Sequence, residues 1–153
     1  MKITYPYFDK SSLKKVEQVL KSGRVNYWTG NECKDFEKEF SNYHKVKYSL
    51  SVSNGSVALE IALKALNLKK TDSVIVTPRS FVISASCVLN LGLKPIFADI
   101  GEDYNISPLE IEKKITKKTK VILPVHMCGQ MCDITRDTST SSAGRGANTR
   151  LFF

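Results

Sequence analysis

The sequence predicts an α/β fold, a largely parallel sheet with helices on both faces. Three observations predict it. Short apolar runs at Ser73-Val74-Ile75-Val76, Pro95-Ile96-Phe97-Ala98 and Val121-Ile122-Leu123-Pro124-Val125 have the length and character of buried strands. Before and between those runs apolar residues recur at helical spacing, so strand and helix alternate. At Asn54-Gly55 the period switches from two to helical, as where a strand hands over to a helix through a tight polar turn.

Residues 11–21 predict a helix with Leu13, Val16 and Leu20 inward, and residues 31–43 a second with Cys33, Phe36, Phe40 and Tyr43 inward. The connector at residues 22–30 is rich in turn formers and holds the single tryptophan, Trp28, which is expected to pack. Tyr48, Leu50 and Val52 alternate with polar neighbours as a half-buried strand would. Val57, Ala58, Ile61, Ala62, Ala65 and Leu66 then form one helix face, with Ser53 or Asn54 as the expected N-cap. The run at 73–76 is the next strand, residues 82–91 a helix, and 95–98 a strand. Ser107-Pro108-Leu109-Glu110 combines an N-cap serine, a proline at the first helical position and a glutamate at the third, so a helix to about Ile115 follows. The run at 121–125 continues the alternation.

With 153 residues and 42% hydrophobic content, residues 1–134 have enough chain for one domain with a real core. The amino terminus has no apolar stretch of signal-peptide length, and the longest uncharged run, residues 80–93, contains Ser, Asn and Gly. A cytoplasmic protein with no membrane partner is expected. Cys33, Cys87, Cys128 and Cys132 lack the density of a disulfide scaffold, so buried free thiols are expected. The net charge of +8 is compatible with an anionic partner. Much of it sits at Lys113, Lys114, Lys117, Lys118 and Lys120, which a solvated helix face explains; no nucleic-acid-binding motif is present, and none is expected to bind.

Residues 135–153 differ from the rest. Up to Ile134 there are 18 lysines and two arginines; beyond it there are three arginines and no lysine. That segment lacks apolar periodicity and is expected to be a disordered, non-native-looking tail, as after a frame slip or an artificial junction.

Ligands in open α/β sheets bind outside the carboxyl ends of the strands. Three such ends are unusual here: Asn54-Gly55-Ser56, Thr77-Pro78-Arg79-Ser80-Phe81 and His126-Met127-Cys128-Gly129-Gln130. At the first, the opening amides of a helix lack intrahelical partners and favour a phosphate, and Gly55 permits close approach. Phe81 lies where a ring can stack on a planar cofactor or fill a core. One glycine where a dinucleotide fingerprint needs three argues against a Rossmann site. His126, Cys128 and Cys132 are close in sequence, but without a fourth ligand at suitable spacing no metal site is expected.

Taken together, SVSNGSVALEIALKAL, VIVTPRSFVISASCVLNLGLKPIFADI and YNISPLEIEKKITKKTKVILPVHMCGQMCDI resemble the amino-terminal part of the DegT/DnrJ/EryC1/StrS family of pyridoxal phosphate-dependent sugar aminotransferases. The likeness runs from about Tyr7 to Asp133 and includes Trp28-Thr29-Gly30 and Phe36-Glu37-Lys38-Glu39-Phe40. It implies part of a fold-type I transferase large domain, a homodimer in full-length members, a nucleotide-linked keto-sugar substrate and an amino-acid amino donor. It further implies that Gly55, Ser56 and Val57 surround the phosphate of pyridoxal 5'-phosphate (PLP) and that Phe81 stacks on its ring. His126 matches the family's PVH block, where a structural role is expected.

The family's cofactor-bearing lysine and the acid that pairs with the pyridine nitrogen have no counterpart among these residues, so no catalytic residue is assigned and the chain is expected to be a truncated, inactive piece. A related sugar dehydratase, in which histidine replaces that lysine, and a non-catalytic phosphate-binding fragment are the alternatives. A sheet stopped partway also predicts exposed edges and self-association.

Overall fold

The computed structural model describes residues 5–133 and the backbone of Arg150 and Leu151. The chain forms two compact units that divide between Ser53 and Asn54.

The first unit holds α1 (Lys10–Ser22) and α2 (Glu32–His44). Asp9 caps α1: its Oδ1 accepts the Ser12 amide at 2.7 Å, and that bond is the main reason its carboxyl is held below the usual range. Gly23, at φ 68°, closes the helix in the left-handed conformation that glycine adopts without strain. In α2, Glu32 and Asp35 occupy the first turn, where the helix dipole favours negative charge.

Both helices form where the periodicity predicts, but neither has a buried residue. Leu13, Val16, Leu20, Phe36, Phe40 and Tyr43 are exposed, which corrects the inward assignment. Trp28 is 85% exposed, with its ring against the edge of Tyr27 at 5.7 Å between ring centroids, so it is not a core residue. A unit of this size has too little chain to cover two amphipathic helices.

Residues 48–52 do not form the predicted strand. Their polar groups instead grip α2: the amide and hydroxyl of Ser51 donate to Glu37 Oε1, each at 2.8 Å, and the Ser49 hydroxyl donates to the Glu37 carbonyl. Tyr48 and Leu50 are exposed. The Ser51 bonds, with help from Tyr27 and Lys34, hold the Glu37 carboxyl below its ordinary value of 4.5. A lowered folded-state pKa means that the tether is complete above that ordinary value and is lost as pH falls through the folded one. The Ser51 amide resonance is expected to titrate below pH 4.5, and Glu37→Gln to abolish the titration; an amide shift flat through that range would refute the tether.

The second unit holds the sheet. Its elements are α3 (Gly55–Lys64), β1 (Ser73–Val76), α4 (Ile83–Asn90), β2 (Lys94–Phe97), α5 (Pro108–Lys114), β3 (Thr119–Leu123) and β4 (Arg150–Leu151). The strands run in the order β2-β1-β3-β4, and every pairing is parallel. Parallel neighbours need crossovers, which α4 and α5 provide.

Side-chain alternation sorts the core into two layers. Val74, Val76, Val121 and Leu123 pack with Leu63 of α3 and with Cys87 and Val88 of α4. Ile75 and Ile122 point the other way, onto Ile106, Ile111 of α5 and Cys132. Helices thus cover both faces, as predicted.

In β2, Lys94 N–H donates to Asp72 O and Ala98 N–H to Val76 O, so alternate residues face β1 and Pro95 and Phe97 face away from it. The Ser107 hydroxyl accepts the Glu110 amide with Pro108 in the first turn, so the predicted cap of α5 is present. Between β1 and β3 the register slips after Ser73, which pairs with Thr119 while Val74 pairs with Val121.

None of the four cysteines is in a disulfide: Cys87 and Cys132 are buried as expected, whereas Cys33 and Cys128 are exposed. Burial pushes the Cys87 thiol up, which makes it unreactive. Apart from Arg150 and Leu151, whose backbone pairs with Val121 and Ile122, the expectation for residues 135–153 lies outside the described residues.

Candidate functional site

The turn into α3 is built by Asn54. Its backbone is extended, its Oδ1 accepts the Val57 amide at 3.0 Å and its carbonyl accepts the Ala58 amide at 3.1 Å. Asn54 is therefore the N-cap, one of the two predicted candidates. Those bonds leave the amides of Gly55 and Ser56 with no partner among the described residues. A side chain at Gly55 would meet nothing within 4 Å, so the approach to these amides is open. Ser56 adds a half-buried hydroxyl, and Val57 is half-buried behind it.

Two unpartnered amides at the positive end of a helix dipole, with a hydroxyl beside them, are the donor set that a phosphate monoester accepts from. In chemical type the residues fit the phosphate end of the expected cofactor.

Phe81 follows the carboxyl end of β1 and is 75% exposed, so it is not a core residue. The loop that carries it is braced on both sides. Thr77 Oγ1 accepts the Arg79 amide at 3.2 Å, the Arg79 guanidinium lies 4.5 Å from the centroid of the Tyr104 ring, and the hydroxyls of Ser80 and Ser84 are 2.8 Å apart. The carbonyl of Phe81 accepts the Ser84 amide at the start of α4.

At the third strand end, no group of three or more metal-ligating side chains comes together among the described residues. Nδ1 of His126 accepts the Cys132 amide at 3.0 Å, which leaves the proton of the neutral ring on Nε2. His126 thus holds a turn, as expected.

Asn105 had no signal in the sequence, yet it organises this region. It is 1% exposed, and its Nδ2 is shared among Asp103 Oδ2, Gln130 O and Met131 O at 3.2 to 3.3 Å, while its Oδ1 accepts the Met127 amide at 3.2 Å. One side chain therefore ties the loop after β2 to the loop after β3, both at the carboxyl edge of the sheet. Its partners in the loop after β3 lie 22 to 26 residues away, too far for local pattern to reveal. No described helix is long and apolar enough to cross a membrane.

Comparison with known proteins finds relatives for the chain as a whole. The DegT/DnrJ/EryC1/StrS aminotransferase family matches residues 6–141. GDP-perosamine synthase of Vibrio cholerae is 39% identical over 130 residues, which cover 84% of this chain and 35% of that protein. The solved aminotransferase of Psychrobacter cryohalolentis is 44% identical with a TM-score of 0.83, over 88% of this chain and 34% of that one. A Bacillus subtilis protein, NtdA, solved with bound cofactor PMP (pyridoxamine 5'-phosphate), is 36% identical with a TM-score of 0.75, over 82% of this chain and 28% of that one. The chain thus spans about a third of the length of the relatives it matches.

Proposed function

The chain belongs to the DegT/DnrJ/EryC1/StrS aminotransferase family, and from that premise we propose that it forms the phosphate-binding and ring-facing part of a PLP-dependent site that aminates a nucleotide-linked keto-sugar. The observation that carries the proposal is the pair of unpartnered amides at Gly55 and Ser56 on an open helix terminus, in a chain that aligns with a PMP-bound relative. When bound, the cofactor supplies the electron sink for moving an amino group.

The chain's own residues bind and orient. The Gly55 and Ser56 amides and the Ser56 hydroxyl anchor the phosphate, and Val57 backs it. Phe81, exposed on a braced loop, offers its face to the ring and keeps water from that side. The name of the GDP-perosamine synthase relative supports a nucleoside diphosphate on the sugar. An amino acid is the proposed amino donor.

We assign the proton-moving group to none of the residues matched here, so no turnover is expected from these 153 residues alone. A cytoplasmic homodimer completes the proposal, with the exposed Leu13, Phe36 and Trp28 as apolar surface for a partner to cover.

Pyridoxamine 5'-phosphate tests the reading without forming imines on the chain's many lysines. It is expected to bind at least about 10-fold more tightly than pyridoxamine, a difference of about 1.4 kcal/mol. Gly55→Glu, which sets a carboxylate at the amides, should remove that advantage, and Phe81→Ala should weaken both ligands. Equal binding of the two ligands, or a phosphate preference that survives Gly55→Glu, would refute it.

A further inference from the structure

The amino ends of the strands carry a second feature, on the sheet edge opposite the loop of Phe81. A pocket of about 390 Å³ opens there, and Lys70, Lys94, Lys114 and Lys118 line it together with Thr71 and Thr116. Four separate stretches of chain supply these lysines: the turn before β1, the start of β2, the end of α5 and the turn into β3. Lys114 and Lys118 belong to the lysine-rich run at 113–120, whereas Lys70 and Lys94 come from elsewhere in the chain.

The pocket floor is ordered. Ser73 lines it, is buried, and donates to the buried Thr119 hydroxyl at 3.5 Å. Thr119 Oγ1 also accepts the Thr116 amide at 3.0 Å, and Thr116 Oγ1 accepts the Lys118 amide at 3.2 Å. The register slip between β1 and β3 falls at this point, where Ser73 pairs with Thr119. An irregular pair of this kind re-aims side chains at a sheet end. The Lys70 stem passes within 3.9 Å of the place a side chain at Gly92 would take.

Charge is unbalanced here. The ion pairs among the described residues join Lys21 to Glu17 and Lys113 to Glu110, and none involves the four pocket lysines. Asp72, next to Ser73 in sequence, turns its carboxylate back to accept the Lys69 amide at 2.8 Å. Four ammonium groups around one concavity repel each other, and an anion between them removes that repulsion. A single orthophosphate neutralises about half of that charge.

We propose that this pocket binds a diphosphate group, either inorganic diphosphate or the diphosphate of a nucleotide, at a site distinct from the Gly55–Ser56 seat. The volume falls within the range of about 300–1,000 Å³ usual for small-molecule pockets. Thr71 and Thr116 offer hydroxyl donors beside the lysines, which act as point charges. The site does not depend on the cofactor reading.

The experiment is a titration of the whole chain with inorganic diphosphate and with a nucleoside diphosphate, followed by amide NMR. Shifts are expected at Thr71, Ser73, Thr116 and Lys118, at sub-millimolar ligand and more weakly in high salt. The double substitution Lys94→Gln with Lys118→Gln should weaken binding at least about 10-fold. Its melting temperature without ligand should equal or exceed that of the parent, since like charges are removed, which separates lost binding from lost fold. Gly55→Glu should leave these shifts unchanged. Equal affinity for both ligands assigns the site to the diphosphate alone; tighter binding of the nucleotide adds a contact to its nucleoside. No shifts at these residues, or shifts that persist undiminished in the double variant, would overturn the proposal.

Discussion

Asn105→Leu is expected to lower the unfolding free energy by about 1–3 kcal/mol, the cost of breaking the hydrogen bonds of one buried polar side chain whose partners lie in part-exposed loops. The side chain is 1% exposed, and the Met127 amide and the Gln130 and Met131 carbonyls all depend on it. Leucine keeps the branched skeleton, is bulkier, and offers them nothing. Water entering the loops recovers some of the loss, which sets the lower end of the range. Chemical denaturation reads the change directly. A variant within about 0.5 kcal/mol of the parent, the range of ordinary surface changes, would show that the two loops hold together without the amide. Asn105→Asp separates the contributions: it keeps an acceptor for the Met127 amide but cannot share a donor among three oxygens, so it too should be less stable.

Ile75→Ala carries the second large effect. Ile75 lies in β1, an interior strand, is fully buried, and packs onto Ile106, Ile111 and Ile122. Truncation loses the transfer free energy of three carbons and leaves a cavity, together about 2–5 kcal/mol. Domains are stable by only about 5–15 kcal/mol, so the change removes a large share of the total. Ile75→Val should cost about 0.5–1.5 kcal/mol and mark the conservative end. If alanine and valine cost the same, the layer under α5 is not closely packed.

These two sites differ in how far the sequence reveals them. Ile75 is legible: the apolar run Val74-Ile75-Val76, between turn residues, reads as a strand buried on both faces, and the sheet forms there. Ser107, Pro108 and Glu110 announce the start of α5 for the same reason, since a cap is a local arrangement within one turn of helix. Asn54 is equally local.

Asn105 has no such signature, because apart from Asp103 its partners come from another loop. The alternation at Tyr48, Leu50 and Val52 misleads in a related way. It marks a surface that suits a pleated strand, but a strand needs a neighbour to share hydrogen bonds, and here the serines between those positions turn to Glu37 instead. Trp28, Leu13 and Phe36 show the same limit for helices and connectors. Periodicity identifies an apolar face; whether anything covers it depends on the rest of the chain, and in the first unit these residues stay exposed.

The candidate site is legible to a similar degree. The donor turn at Gly55 and Ser56 follows from local sequence, and so does the position of Phe81 just after a strand. The bracing of Phe81's loop, through Arg79 on Tyr104 and Ser80 on Ser84, depends on folded geometry. The lysine pocket combines four stretches that no window of sequence holds together.

The placement of Pro95 has a consequence for how the molecule meets its own copies. On the outer side of β2 the backbone positions are Pro95 and Phe97, and proline has no amide hydrogen to give. A second chain approaching that rim finds one donor where a regular strand would present two. With Lys94 and its charge at the same rim, edge-to-edge templating is suppressed on this side. Any growth of the sheet by added strands is thereby directed to the opposite flank, where β4 already lies beside β3.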